Sequence, residues 1–184
     1  MTFRIPLAKP WITAKERAYV ADAVESGMIS YRSPWVPRFE ALLGNYLGGA
    51  VMATSSCTGA LWCAIKASNA HTGTVVGPGL TFASTIHAVE AAGGKAVIAD
   101  VDEQTGTLAP WDAENLLAKL VTSNNRISLL PVDIFGNRTA LPANQVEAHT
   151  VIGDMAQAFR MGPDSRFIAR CYSFFANMVI TTGE

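Results

Sequence analysis

Residues 74–99 have the sequence TVVGPGLTFASTIHAVEAAGGKAVIA, and this stretch decides the fold class. Short apolar runs at Thr74–Val76 and Lys95–Ala99 predict two strands, because they are continuous and are bounded by glycine and proline. The segment between them, Thr81–Ala92, has the length and composition of a helix. A strand, a helix and a second strand in this order predict two parallel strands, since the helix returns the chain to the starting end of the sheet.

The same alternation of strands and helices continues along the chain. The strands are continuous Val/Ile/Leu runs rather than strictly alternating ones, which indicates burial on both faces of the sheet. We therefore predict an α/β fold, a mostly parallel sheet with helices on both faces. The other predicted strands are Ala50–Thr54, Ile127–Val132, Val151–Asp154 and Cys171–Phe174, and the other helices are Thr58–Ala70 and Trp111–Leu120.

Two helices are predicted before this region. The first begins with Thr13 and Glu16 in the positions of a capping box, in which each side chain satisfies a free N–H group of the first turn. It ends at Gly27, because glycine favours the position after a helix. The second covers roughly Arg38–Leu47, after two prolines.

The composition is that of a globular chain. The chain has 184 residues, which fits one domain or a large part of a bigger one. Apolar residues make up 49% and charged residues 16% of the sequence, so disorder is excluded as a description of the whole chain. The formal net charge of −1 argues against binding to duplex DNA, which requires a clustered basic surface.

The cysteines and the apolar segments indicate a cytoplasmic protein. Cys57, Cys63 and Cys171 are odd in number and irregular in spacing, which predicts reduced thiols rather than a disulfide framework or a metal site. The N-terminal sequence lacks the apolar core of a signal peptide. No apolar stretch reaches the roughly 20 residues that a membrane-spanning helix needs.

The C-terminal sequence ITTGE, residues 180–184, contains neither a closing helix nor a helix stop signal. A small apolar sheet that ended here would expose an edge, and proteins normally cover such edges. We therefore expect either further chain beyond Glu184 or a partner that covers this edge.

The loop SSCTG at residues 55–59 is a candidate phosphate site. It follows the predicted strand Ala50–Thr54 and begins the next helix, so it brings backbone N–H groups together at a helix N-terminus. A Ser/Thr-rich helix cap without a ligand is the alternative. The glycine spacing matches neither a Walker loop nor a GxGxxG dinucleotide motif.

Asp154 is a second candidate, since ligands of parallel α/β sheets bind beside the carboxyl ends of the strands. A carboxylate at the end of a buried strand requires a cation or hydrogen-bond donors nearby. A protonated heterocyclic nitrogen is one such cation. A helix cap remains an equally good interpretation of this segment alone.

The segment YSFFANM at residues 172–178 also follows a predicted buried strand. The hydroxyl of Ser173 and the amide of Asn177 are candidates for contact with a phosphate. Phe174 and Phe175 are more typical of core packing than of a cofactor site. Phe82 is ordinarily a packing residue as well, although its ring is able to stack on a planar ligand.

Taken together, eight motifs in this order resemble the fold type I, pyridoxal 5′-phosphate (PLP)-dependent sugar-nucleotide aminotransferases, and among them the perosamine-synthase-like branch. The resemblance spans essentially the whole chain, and the ordered set is far more specific than any single motif. The motifs are IPLAKP (5–10), SGMIS (26–30), SSCTGAL (55–61), PGLTFAST (78–85), IADVDEQTGTL (98–108), PVDIFGN (131–137), IGDMAQAF (152–159) and YSFFANMVITTGE (172–184).

The resemblance implies a role for particular residues. The backbone around Thr58 and the hydroxyl of Ser173 bind the phosphate of PLP, and Phe82 stacks on the pyridine ring. Asp154 pairs with the ring nitrogen and keeps it protonated, while Gln157 lies near the ring hydroxyl. The residues assigned to the cofactor are Cys57, Thr58, Gly59, Phe82, Asp154, Gln157 and Ser173.

The sequence departs from the family at position 178. In the family, a lysine at this position forms the Schiff base with PLP and carries a proton between substrate and cofactor, whereas this chain has Met178. Methionine has a similar unbranched stem but no amine. A related dehydratase branch has histidine here, which methionine does not match either. Met28, where the family commonly has a bulkier aromatic residue, is a minor difference near the expected substrate side.

The family reaction implied by the resemblance transfers an amino group from glutamate, through pyridoxamine 5′-phosphate (PMP), to a nucleotide-linked keto sugar. Family members are longer, so residues 1–184 are expected to be the N-terminal part of the large domain, with the small C-terminal domain absent. We expect Met178 to leave this chain inactive or nearly so, with any cofactor bound non-covalently. The resemblance also implies a homodimer. The alternative is a truncated pseudoenzyme that acts as a cofactor-binding or protein-interaction module.

Overall fold

The computed structural model of the chain describes Ile5 and residues 8–120, 126–141, 143–160 and 162–182. Two predicted motifs therefore lie partly outside the described residues, at positions 6–7 and 183–184. The elements are α1 (Ala14–Glu25), α2 (Trp35–Leu47), α3 (Cys57–Ala67), β1 (Thr74–Pro78), α4 (Ala83–Ala91), β2 (Lys95–Ala99), α5 (Pro110–Leu120), β3 (Ile127–Leu129), α6 (Ala143–Ala148), β4 (Thr150–Asp154) and β5 (Ala169–Cys171), with short 3₁₀ turns at Ala70–Thr72 and Ile134–Gly136.

The five strands form one sheet in the order β2-β1-β3-β4-β5. Every neighbouring pair is parallel, and β1 lies between β2 and β3 with Val76 opposite both Val97 and Leu129. The predicted strand-helix-strand unit of residues 74–99 is confirmed. The predicted α/β class is confirmed with it.

Both faces of the sheet are covered. Val75 and Ile152 belong to a core cluster beneath α3 and α4, whereas their neighbours Val76 and Val151 belong to a second cluster beneath α5. Successive side chains of a strand point to opposite faces, so a strand buried on both sides must be apolar at every position. The Val/Ile/Leu runs are therefore uninterrupted because the strands are buried on both faces, as predicted.

The helix ends follow from local chemistry. Thr13 and Glu16 form the predicted capping box at the start of α1. Gly27 follows that helix with φ of 67°, a conformation that favours glycine. The second helix begins at Trp35, three residues earlier than predicted, because proline is tolerated in the first turn of a helix, where its missing N–H is not needed.

The prediction of a strand at Ala50–Thr54 was wrong. The segment belongs to no strand of the described sheet, and the N–H of Ala53 donates to the side chain of Glu40 at 2.8 Å. A strand requires a neighbouring ladder of hydrogen bonds, and a cavity lies between this segment and β5 instead. An apolar run therefore is not sufficient to make a strand.

Other element boundaries also differ from the prediction, and β3 ends at Leu129 rather than at Val132. β5 is Ala169–Cys171 rather than Cys171–Phe174, because its partner residues in β4 end at Asp154, which is opposite Cys171. The short helix α6 was not predicted, and its six residues carry no strong periodic signal. None of the helices in the described ranges is long and apolar enough to cross a membrane.

Candidate functional site

The carboxyl ends of the parallel strands bring the candidate residues to one edge of the sheet. Asp154 ends β4, and Cys171, its partner in the register, ends β5. Ser173 follows Cys171 by two residues, so it lies at the same edge as Asp154. The start of α3 is also close, since Cys57 packs against the core cluster that contains Cys171.

Asp154 is buried, with only 4% of the residue exposed. Its Oδ2 accepts a hydrogen bond from the hydroxyl of Thr85 at 2.7 Å, and its Oδ1 accepts from the backbone N–H of Ala156 at 3.1 Å. Burial raises the pKa of Asp154, and the nearby Asp133 acts in the same direction, whereas the two hydrogen bonds oppose the rise. Within the described ranges, no cationic side chain forms an ion pair with Asp154.

The N-terminus of α3 combines the two interpretations of the SSCTG loop. Ser56 caps the helix, and its Oγ accepts from the N–H of Gly59 at 3.2 Å. The N–H of Thr58 lies in the same first turn, where a helix provides no intrahelical acceptor. Thr58 is exposed, so this end of an 11-residue helix faces solvent with its partial positive charge.

Phe82 is not a core residue, because it is 78% exposed. It occupies the cap position immediately before α4, three residues ahead of Thr85. Its ring is therefore available for contact with a ligand at the sheet edge. Ser173 is half-buried, and its Oγ accepts from the N–H of Phe175 at 3.3 Å.

Gln157 and Met178 are placed differently from the other candidates. Gln157 is exposed, and its Oε1 accepts from the N–H of Phe135 at 2.8 Å. Phe135 has φ of 54°, which is uncommon for a residue with a side chain, so Gln157 helps to hold a strained turn. Met178 is half-buried, and its backbone N–H donates to the carbonyl of Phe175 at 2.9 Å.

The two phenylalanines that follow Ser173 differ in their packing. Phe174 packs edge-on against Phe39 with ring centroids 5.2 Å apart, and it also contacts Phe159. Phe175 is 45% exposed. The core interpretation is therefore confirmed for Phe174 and wrong for Phe175.

An ion pair next to Asp154, between a buried aspartate and a partly exposed arginine, was not predicted from the sequence. Asp133 follows β3, and its fully buried Oδ2 lies 3.3 Å from Nε of Arg160. Its backbone N–H donates to the carbonyl of Asp154 at 3.0 Å. A carboxylate after a predicted strand was the signal that identified Asp154, and the same signal was present at Asp133.

Cys171 also faces this region. Burial raises the pKa of the Cys171 thiol to about 12, and the charge of Asp154 contributes in the same direction. The thiol is therefore neutral at physiological pH and is not a nucleophile.

A cavity of about 790 Å³ lies beside this edge. It is bounded by α2, the extended segment after it, the start of α3 and the region of β5, and it includes Ser56 and Cys57. Phe82, Asp154 and Ser173 are not among its lining residues. The cavity therefore follows the open side of β5 rather than marking the place of the buried carboxylate.

The fold and the site define a class of protein. Ligands of parallel α/β sheets bind at the carboxyl edge, where this chain has a buried aspartate and a helix N-terminus of the kind that suits a phosphate. The sequence places the chain more narrowly: residues 10–184 match the DegT/DnrJ/EryC1/StrS aminotransferase family, and the chain belongs to this family.

Curated relatives have about twice the length of this chain. The spore coat polysaccharide biosynthesis protein SpsC of Bacillus subtilis is 31% identical over 197 residues, which cover 98% of this chain and 48% of SpsC. GDP-perosamine synthase of Caulobacter vibrioides is 31% identical over 192 residues, covering 98% of this chain and 50% of the relative. The chain thus spans about half the length of the curated relatives it matches.

Solved structures confirm the fold. Sugar aminotransferase CalS13 from Micromonospora echinospora superimposes with a TM-score of 0.81 at 24% identity, covering 98% of this chain and 52% of that one. DesI, solved in the presence of its TDP-sugar product, gives a TM-score of 0.77 at 27% identity, covering 95% of this chain and 46% of DesI. A protein of Streptococcus pneumoniae assigned as a sugar aminotransferase, Spr1654, is known in PLP and PMP forms. Its PLP form gives a TM-score of 0.81 at 21% identity, covering 99% of this chain and 52% of Spr1654.

Proposed function

We propose that this chain is the cofactor-binding part of a PLP-dependent sugar aminotransferase and binds PLP or PMP without a covalent bond. The observation that carries this proposal is the buried carboxylate of Asp154, which has two neutral hydrogen-bond donors and, within the described ranges, no ion-pair partner. A buried carboxylate is stabilised by a cation, and the protonated pyridine nitrogen of PLP is a cation of suitable size.

The other residues at the sheet edge fit the remaining parts of this cofactor. The exposed first turn of α3 at Thr58 and the hydroxyl of Ser173 are suited to the phosphate. The exposed ring of Phe82 is suited to one face of the pyridine. Gln157 is free to orient the ring hydroxyl only through its amide nitrogen, because its oxygen holds the N–H of Phe135.

The side chain of Met178 has no amine, so it does not allow covalent attachment of PLP. When bound, PLP supplies an electron-withdrawing ring that makes an amino group transferable between carbon atoms. Removal of a positioned acid or base costs about 10²–10⁴-fold in rate, and a thioether holds no proton at this position. We therefore propose that the chain recognises the cofactor and is catalytically impaired.

The substrate and assembly belong to the same proposal. GDP-perosamine synthases among the relatives favour a nucleotide-linked keto sugar and glutamate as the substrates of the complete enzyme. Residues 1–184 correspond to the N-terminal part of the large PLP-binding domain. A homodimer is favoured by α1, in which no residue is buried and both Val20 and Val24 are 65% exposed.

Calorimetric titration tests the proposal with three ligands: PLP, PMP and pyridoxal, which lacks the phosphate. We expect saturable binding of PLP and PMP and much weaker binding of pyridoxal, because the phosphate contacts are lost. Ser173→Ala should reduce the difference in affinity between PLP and pyridoxal. If neither PLP nor PMP binds, the proposal is wrong.

Two observations favour a second function. The cavity beside β5 and the edge position of that strand offer a surface to another polypeptide, which supports a protein-interaction module. In this case the chain would fold and associate without PLP or PMP. Sedimentation of the purified chain with and without cofactor distinguishes the two functions.

A further inference from the structure

Thr85 links the carboxylate of Asp154 to the helix α4 beside it. It lies in the first turn of α4 and is completely buried, and its Oγ1 is 2.7 Å from Oδ2 of Asp154. The N–H of Ala156 contacts the other carboxylate oxygen at 3.1 Å. Two donors from different elements therefore hold the two oxygens of Asp154 and restrict the rotation of its side chain.

The direction of this hydrogen bond is determined by the acceptor. An ionised carboxylate has no proton to give, so Thr85 must donate to Asp154. The oxygen of Thr85 is then available as an acceptor, and Oγ1 of Thr81 lies 2.7 Å away. The Thr81 hydroxyl therefore donates to Thr85, and the Thr85 hydroxyl donates to Asp154. We call these two consecutive hydrogen bonds the relay.

The outer member of this relay adjoins the residue that is expected to stack on the cofactor. Thr81 immediately precedes Phe82 in the loop between β1 and α4. The relay thus connects the loop that carries the exposed ring with the carboxylate at the end of β4. Thr81 precedes the cap residue of α4, so the end of this loop places its hydroxyl within hydrogen-bond distance of Thr85 in the first turn of the helix.

We propose that Thr85, supported by Thr81, is a positioning residue that holds the carboxylate of Asp154 in the orientation required for contact with the pyridinium nitrogen of PLP or PMP. This inference rests on the proposed function for its ligand. The contact between Thr85 and Asp154 itself is independent of any ligand.

The charged and titratable groups around Asp154 explain why such a donor is needed. Asp133 adjoins Asp154 on the β3 side with Arg160 as its ion partner, and the neutral thiol of Cys171 faces it from β5. Burial and the charge of Asp133 favour the protonated form of Asp154, whereas the bonds from Thr85 and Ala156 favour the ionised form. Loss of the Thr85 hydroxyl therefore raises the pKa of Asp154 further.

The first test is made on the chain without cofactor. The carboxyl signal of Asp154 is followed by ¹³C NMR as a function of pH, with Asp154→Asn used for assignment. Thr85→Val retains the shape of the buried side chain without its hydroxyl, and we expect it to raise the pKa of Asp154, because the ionised carboxylate loses a hydrogen-bond donor. Thr85→Ser retains the hydroxyl and should leave the pKa close to that of the wild type.

The second test measures the affinity for PLP and PMP by calorimetry. We expect Thr85→Val to weaken binding about tenfold, which corresponds to about 1.4 kcal/mol, and Thr85→Ser to restore it. Thr81→Val should have a smaller effect in the same direction, and it provides a second variant if Thr85→Val does not fold. Thr107→Val is the matched control, because Thr107 is a buried threonine that bonds to Thr105 and lies outside the relay.

The outcomes separate this inference from the proposed function. An unchanged pKa of Asp154 and unchanged cofactor affinity in Thr85→Val would overturn the positioning role even if the wild type binds PLP. Equal losses in Thr85→Val and Thr107→Val would also overturn it, since they would indicate a general effect of core polarity. If the wild type binds neither PLP nor PMP, the proposed function fails and the positioning of a cofactor fails with it, although the NMR titration still decides the Thr85–Asp154 contact.

Discussion

Replacement of Asp154 by asparagine removes one negative charge and leaves the size of the side chain unchanged. The asparagine oxygen is able to keep the hydrogen bond from Thr85, which is 2.7 Å long in the wild type. The amide nitrogen then faces the N–H of Ala156, where the wild type has a carboxylate oxygen at 3.1 Å. Asparagine therefore offers neither a charge nor a second well-placed acceptor to a pyridinium nitrogen.

The expected loss follows from the burial of this position. Asp154 is 4% exposed, so water does not replace the missing acceptor. A hydrogen bond to a charged group is worth about 1.5–3 kcal/mol, and we expect the Kd for PLP to rise about 10- to 150-fold. Solvent screening does not reduce this effect substantially in a buried site.

Calorimetric titration of wild type and Asp154→Asn with PLP at neutral pH measures this change. Asp22→Asn is the matched control, because Asp22 is an exposed aspartate on α1. Circular dichroism and thermal unfolding verify that each variant is folded. Saturable binding of PLP to the wild type with a change of less than about threefold in Asp154→Asn would refute the assignment of Asp154 as the partner of the ring nitrogen.

Three further predictions concern stability and covalent chemistry. Burial raises the pKa of Asp154 in the folded chain, so at pH values between the ordinary and the raised pKa the folded state keeps a proton that the unfolded state has lost. The resulting stabilisation of the folded state is fully present below the ordinary carboxyl pKa and is lost as pH rises through the raised pKa. Urea unfolding between acid and neutral pH should reveal this fall in wild type, and Asp154→Asn should lack it. Arg160→Ala leaves the buried Asp133 charge without its partner and should cost about 2–4 kcal/mol of unfolding free energy, less than for a fully buried pair because 37% of the Arg160 side chain is exposed. Urea unfolding measures this cost. If the pair is real, the double variant Arg160→Ala/Asp133→Asn should be no less stable than Arg160→Ala alone. Strictly additive losses of unfolding free energy in the double variant would contradict the pairing. Met178→Lys should bind PLP covalently, which borohydride reduction and mass spectrometry detect, and Met178→Leu should not; absence of the adduct in a variant that binds PLP would contradict the placement of residue 178 at the site.

The agreement between sequence and structure is greatest where the physics is local. The capping box of Thr13 and Glu16 was predictable because both partners lie within one helical turn. The βαβ unit of residues 74–99 was predictable because a strand, a helix and a strand of these lengths have few alternative arrangements. Ala50–Thr54 was predicted wrongly, because a strand depends on a neighbour that its own sequence does not contain.

The candidate site divides in the same way. Asp154 was identified from its position after a buried strand, since chain order alone places such residues at the carboxyl edge of a parallel sheet. The exposure of Phe82 and the contact between Gln157 and Phe135 were not predictable, because each depends on the packing of segments that are distant in the sequence.

By itself the sequence determined the α/β class, the family and the absence of a lysine at position 178, since these depend on residue order and identity. Only the tertiary structure decided that Asp154 is buried, that Thr85 donates to it across 69 positions of sequence, and that Asp133 lies beside it with Arg160. The physical reason is that the charge state of a carboxylate depends on its solvent exposure and on donors brought by other strands and helices. Those distances exist only after the sheet and its helices have assembled.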